Sequence, residues 1–237
     1  MRWLATACAV LALALWAGPH VAAQAGAEGG RALYLEACAA CHGEDARGRP
    51  ARGPSLVGVG AQSADFYVST GRMPLADPDD QPVRAPPSYS RESRRALIDY
   101  VASLGGPAIP RVDPAHGSIA EGKALFTESC GGCHQVVAQG GIVPPDGVAP
   151  PLQRADATTI VEAIRVGPYT MPSFSEAQID AREAESLARY VLSTRHPEDR
   201  GGWGIGNIGP VPEGMAAWLL AGVALLLVIR VLGKRAP

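Results

Sequence analysis

The chain has 237 residues, room for one or two domains plus targeting segments, and a formal net charge of −2. A balance this close to neutral, with no basic stripe, speaks against nucleic acid as a partner. Aromatic residues at 5% exclude a large aromatic core, while 28 glycines and 21 prolines point to small, loop-rich domains.

Arg2 precedes an apolar stretch from Trp3 to Ala17, then Gly18-Pro19 and a small-residue run ending Ala23-Gln24-Ala25. A charged start, a short apolar region and an A-x-A site predict a secretory signal peptide over residues 1–25, cleaved after Ala25. The alternative is an uncleaved signal anchor, since the apolar stretch is only a little short of a membrane span. Cys8 lies inside this stretch without lipobox spacing and reads as filler.

Two five-residue sites follow, Cys38-Ala39-Ala40-Cys41-His42 and Cys130-Gly131-Gly132-Cys133-His134. C-x-x-C-H is the attachment signature of c-type haem. The thiols add across the haem vinyl groups, and His42 and His134 become the proximal iron ligands. The spacing suits that chemistry, because one helical turn presents both sulfurs to one porphyrin edge and the next residue to the metal. A redox dithiol has no need of the adjacent His. A zinc site could use one such His, but two identical sites would be an odd way to build it. Two covalent haems are therefore predicted, held by Cys38, Cys41, Cys130 and Cys133. Only Cys8 is left over, so no structural disulfide is expected. Haem c is attached outside the cytoplasmic membrane in bacteria, which makes this an exported protein.

The surroundings of the two sites repeat. Gly30-Arg31-Ala32-Leu33-Tyr34-Leu35-Glu36-Ala37-Cys38 matches Gly122-Lys123-Ala124-Leu125-Phe126-Thr127-Glu128-Ser129-Cys130. Both read as short amphipathic helices that turn the Leu and the aromatic inward. Further on, Gly53-Pro54-Ser55-Leu56 is echoed by Ala149-Pro150-Pro151-Leu152. Arg72-Met73-Pro74 is echoed by Thr170-Met171-Pro172, and Asp99-Tyr100-Val101 by Arg189-Tyr190-Val191. The expected organisation is a duplicated domain, residues 28–106 and 115–196, joined by a stiff Pro/Gly linker at 107–114.

Each copy runs helix, C-x-x-C-H, Pro loop, short helix, Met-Pro loop and closing helix. That order resembles class I cytochrome c over nearly all of residues 28–196. The resemblance implies an all-α fold, with Met73 and Met171 as the distal axial ligands. It also implies that the Pro54 and Pro150 carbonyls accept from the free ring nitrogens of His42 and His134, orienting the rings. Each haem domain holds a single Met, followed by Pro and placed between the haem motif and the closing helix. His116 and His196 have no such setting and are not ligand candidates.

After Pro197 the chain is rich in Gly and Pro through residue 214, with Trp203, Ile205 and Ile208 suited to a partner or a bilayer interface. Residues 215–232 are apolar apart from Arg230 and would span about 27 Å as a helix, enough to cross a membrane. Lys234 and Arg235 in the tail, residues 233–237, predict a cytoplasmic C-terminus and haem domains on the outer side. Charge differs between the halves: residues 28–112 carry 10 basic and 10 acidic side chains, residues 113–200 carry 7 and 12.

Two class I domains followed by one membrane helix resemble the dihaem cytochrome c subunit of actinobacterial menaquinol–cytochrome c reductases. The matching strings are Pro54 to Gly60, Asp65 to Pro74 and Gly209 to Gly214. The loop from Pro78 to Pro87 departs from that pattern in being rich in Pro and Asp, and the tail is very short. The resemblance implies partners: a Rieske iron–sulfur subunit as donor, a cytochrome b subunit, and the copper-bearing subunit of a haem–copper oxidase as acceptor. The chain would be one subunit of a reductase, with no substrate-transforming site of its own. The alternatives are the cytochrome subunit of a periplasmic dehydrogenase, a free-standing anchored carrier and, against the two Met-Pro loops, a dihaem peroxidase.

Overall fold

A computed structural model describes residues 28–144, 147–196 and 210–234. The signal-peptide expectation for residues 1–25 lies outside the described residues, as do most of the juxtamembrane segment and the last three residues of the tail. The chain divides into two compact units at Arg195/His196.

In the first unit, helix α1 (residues 28–37) leads directly into the single-turn helix α2 (Ala39–His42). Gly43 then ends the turn at φ +81, a left-handed value that costs glycine nothing. α3 (Gly60–Ser69) and α4 (Arg91–Ser103) pack on each other, and α4 starts where the Ser90 hydroxyl accepts from the Ser93 N–H at 3.1 Å. The core joins Tyr34 of α1 to Leu97, Ile98 and Val101 of α4, and Leu33 packs against it. Tyr34 and Tyr100 stack with ring centroids 4.9 Å apart.

Gly30 places α1 against α4. A Cβ there would stand 1.9 Å from the Ala96 carbonyl oxygen, so only glycine permits this crossing.

The first half closes on itself just before the linker: the Gly58 N–H donates to the Leu104 carbonyl at 3.1 Å, and a Cβ on Gly106 would meet the Gly58 oxygen at 2.3 Å. From the linker, the Pro107 carbonyl accepts from the Gln62 N–H at 3.3 Å.

The second half opens with a 3-10 turn, Pro114–His116, then α5 (Ile119–Ser129) and the one-turn α6 (Gly131–His134). α7 (Ala157–Val166) is capped by Asp156, and α8 (Ala181–Ser193) by a capping box in which Asp180 and Glu183 each accept the other's N–H at 2.8 Å. α5 crosses α8 at Gly122, where a Cβ would stand 1.9 Å from the Ser186 carbonyl oxygen. Phe126 meets Tyr190 at 5.4 Å between centroids. The first half makes the same approach with the same residue types.

One element departs from the all-helical expectation. Strands β1 (Gly141–Val143) and β2 (Gly147–Ala149) form an antiparallel hairpin, with Ile142 opposite Val148. Ile142, Val143 and Val148 supply β-branched residues to the strands, and the intervening prolines of the sequence disfavour helix.

The two halves of this unit touch through α3 and α7. Arg84 donates to the Arg154 carbonyl at 3.1 Å, and the Gln81 amide donates to the Tyr169 hydroxyl.

The second unit is built on α9 (Pro210–Gly233). The helix takes in the last residues expected to belong to the juxtamembrane segment, because proline is tolerated in a first helical turn, where its missing N–H would have no intrahelical partner. Its Gly214–Gly233 stretch is long and apolar enough to cross a membrane, and its side chains from Met215 onward are exposed.

Candidate haem sites

Each C-x-x-C-H motif occupies a break between two helices. Cys38 ends α1 and caps α2, so that the N–H groups of Cys41 and His42 reach its carbonyl at 3.1 and 2.9 Å. Cys130 does the same between α5 and α6, with Cys133 and His134 at 3.2 and 2.9 Å. The His42 Nδ1 lies 2.8 Å from the Pro54 carbonyl oxygen, and the His134 Nδ1 lies 3.2 Å from that of Pro150. A carbonyl only accepts, so Nδ1–H donates in both rings and Nε2 keeps its lone pair for a metal. Burial holds the His134 pKa below its ordinary value, with the Pro150 carbonyl pulling the other way.

Two glycines that the sequence reading passed over brace these histidines. The N–H groups of Gly48 and Gly140 donate to the carbonyls of His42 and His134 at 2.8 and 3.0 Å. Both have positive φ, +86 and +79, and a Cβ on either would strike backbone at 2.7 or 2.4 Å. Aligning the two halves through this loop exposes the pair. A second brace comes from different helices: Tyr34 on α1 donates to the Gly43 carbonyl, and Tyr190 on α8 to that of Val136, both at 2.6 Å.

Burial, then the neighbouring Cys41, pushes the Cys38 thiol up; burial, then Cys133, pushes Cys130 up to about 11. Among the described residues no group of three or more His, Cys, Asp or Glu could hold a metal ion.

The second set of predicted residues shares one cleft, lined by Cys130, Cys133, His134 and Met171. Its walls are apolar, from Phe126, Ile160, Ile164, Leu187 and Val191, as a porphyrin face requires. Met171 is half-buried and packs against the same core. Met73 is also half-buried, held at the end of α3 by its N–H to the Tyr67 carbonyl at 3.1 Å, and does not line this cleft.

Residues of the first half enter the second half's cleft as well: Phe66, Arg72, Gln81 and Arg84. Arg72 is 8% exposed, and its guanidinium lies 4.6 Å from the Phe66 ring centroid. Its Nη1 has no hydrogen-bond partner among the described residues. Burial, then the charge of Arg84, lowers its pKa from the ordinary value, while Tyr67 acts the other way. A buried, unpartnered cation at the edge of an apolar cleft suits a flat apolar group with an acidic rim, so the residues present fit a haem.

The fold and these sites define cytochrome c domains, a class that binds c-type haem covalently. Residues 27–105 match the family model described as cytochrome c, and residues 117–191 that of cytochrome C oxidase, cbb3-type, subunit III. Along its length the chain is 36% identical over 226 residues to the cytochrome bc1 complex cytochrome c subunit of Corynebacterium diphtheriae, covering 87% of this chain and 80% of that protein. The subunit of the same name from Mycobacterium tuberculosis is 36% identical over 217 residues, 87% of this chain and 77% of that protein. The cbb3-type cytochrome c oxidase subunit CcoP of an Azospirillum species is 34% identical over 186 residues, 69% of this chain and 60% of that protein. The chain belongs to the family of cytochrome bc1 complex cytochrome c subunits.

Proposed function

We propose that the chain is a membrane-anchored dihaem electron carrier built from two copies of one cytochrome c domain, residues 28–106 and 115–196. Cys38, Cys41, His42 and Met73 hold one haem; Cys130, Cys133, His134 and Met171 hold the other. The groups so bound would supply a reversible one-electron change of iron. The protein's part would be to orient each His through the Pro54 or Pro150 carbonyl, to supply Met73 or Met171 as a further ligand, and at the second site to exclude water with apolar walls.

In this reading the chain serves a quinol–cytochrome c reductase. It takes electrons from a Rieske iron–sulfur subunit beside a cytochrome b subunit and delivers them to the copper-bearing subunit of a haem–copper oxidase. Reductase activity belongs to the assembly. α9 anchors the chain in the cell membrane with the haem domains outside and Lys234 inside. The observation that carries the reading is the His–Pro carbonyl bond behind each C-x-x-C-H motif, in a chain 36% identical over 226 residues to a bc1 complex subunit.

Rapid mixing of the assembled complex with reduced quinol tests the order of transfer. Met171→Ala lowers the potential of the second site, so the first should reduce at its normal rate while oxidase turnover falls. Loss of first-site reduction in that variant, with two covalent haems still present, reverses the order.

A further inference from the structure

Arg72 is the residue before Met73, yet its side chain serves the other half of the molecule. It lies more than nine-tenths buried in the cleft of Cys130, Cys133, His134 and Met171, on the Phe66 ring, with Nη1 unpartnered among the described residues. Arg84, at the far end of the loop that follows Met73, lines the same cleft. The loop is closed by the Ala85 N–H donating to the Thr70 carbonyl at 3.1 Å, which keeps the two arginines together. Arg72 is desolvated with no anion beside it, a costly state for a cation, and the exposed Arg84, which also donates to the Arg154 carbonyl, adds like charge at the same cleft. Among the described residues the second half places no carboxylate in the lining of this cleft.

We propose that Arg72 and Arg84 of the first half neutralise the carboxylate rim of the haem held by the second half. The proposal rests on the two-haem reading above. A planar guanidinium suits a carboxylate in fork geometry, and a fixed cation beside the second site favours its reduced, more negative state. The segment carrying the first site's Met73 would thus help set the second site's potential, as a positioning and electrostatic element rather than a ligand.

The test is an equilibrium redox titration of the full chain in its complex, following the low-spin ferric signals by electron paramagnetic resonance. Met171→His, which changes only the second site, identifies that site's component. Arg72→Gln should shift this component's reduction equilibrium toward the oxidised form by about tenfold, about 59 mV for one electron, with the first component moved less. Arg84→Gln alters an exposed side chain and should shift it the same way by less. Arg72→Lys should recover most of the loss, because it keeps the charge. An unmoved second component in Arg72→Gln and Arg84→Gln, a shift confined to the first, or equal losses in Arg72→Gln and Arg72→Lys would each overturn the proposal. A single low-spin component in the unaltered protein, or none that responds to Met171→His, would instead bring down the two-haem reading beneath it.

Discussion

Glu162 on α7 is buried against Asp65 on α3, so two carboxyl groups meet where the two cytochrome c halves touch. Glu162 is 2% exposed and its Oε1 has no partner among the described residues. Burial, then the charges of Asp65 and Asp156, then a hydrogen bond with Asp65, push its pKa up to about 9 from an ordinary 4.5. At neutral pH Glu162 is protonated and can donate to Asp65.

That shift makes stability depend on pH. Between about 4.5 and 9 the folded protein holds a proton that the unfolded chain has released. The stabilisation is complete below the lower value and is lost as pH rises through the upper one. Glu162→Gln should flatten this slope, raising the Tm relative to the unaltered protein at pH 8 and much less at pH 5. Thermal melts at pH 5 and pH 8 measure it; equal slopes in both proteins would refute the assignment.

The glycine crossings should tolerate no side chain. Gly30→Ala and Gly122→Ala each drive a methyl into a carbonyl 1.9 Å away, so the helices must separate. A loss of about 1–3 kcal/mol is expected for each, as for other overpacked contacts. Gly29→Ala is the control, since nothing lies within 4 Å of its Cβ position. Denaturant unfolding of the haem-loaded protein compares them, and similar midpoints for the Gly29 and Gly30 variants would contradict the crossing.

Removing either proposed distal ligand should open one iron. Met73→Ala or Met171→Ala should each lower the potential of one site and create one carbon monoxide site per chain, read from the Soret shift of the reduced protein. Ready carbon monoxide binding by the unaltered protein would favour the peroxidase-like alternative.

Cofactor load has its own check. The native chain should retain two haems through denaturing electrophoresis. Cys41→Ala or Cys133→Ala should leave at most one thioether at the altered site, visible as a changed mass. A native mass consistent with one haem would refute the paired sites.

α9 should act as the membrane anchor. Deleting residues from Met215 onward should release haem protein into the soluble fraction after high-salt washing. Continued attachment would point to the N-terminal segment or to subunit contacts.

Local chemistry made some of this legible in the sequence alone. C-x-x-C-H requires its residues at fixed spacing on one turn, so Cys38, Cys41 and His42, and their counterparts Cys130, Cys133 and His134, could be named without coordinates. A run of apolar residues long enough to cross a bilayer is equally local, and α9 follows from it. The hairpin at Gly141–Ala149 was missed because an order of elements carried over from a resemblance says nothing about an inserted turn. Tertiary structure alone decided what depends on distant backbone. Gly30 and Gly122 look like ordinary helix residues until another helix's carbonyl approaches them. Arg72 stands beside Met73 in sequence and Glu162 in a plain amphipathic helix, and nothing in either neighbourhood signals burial. Their roles arise where α3 meets α7. Docking two domains removes water from chosen side chains, and desolvation is set by the partner surface rather than by the residue's own neighbours in sequence.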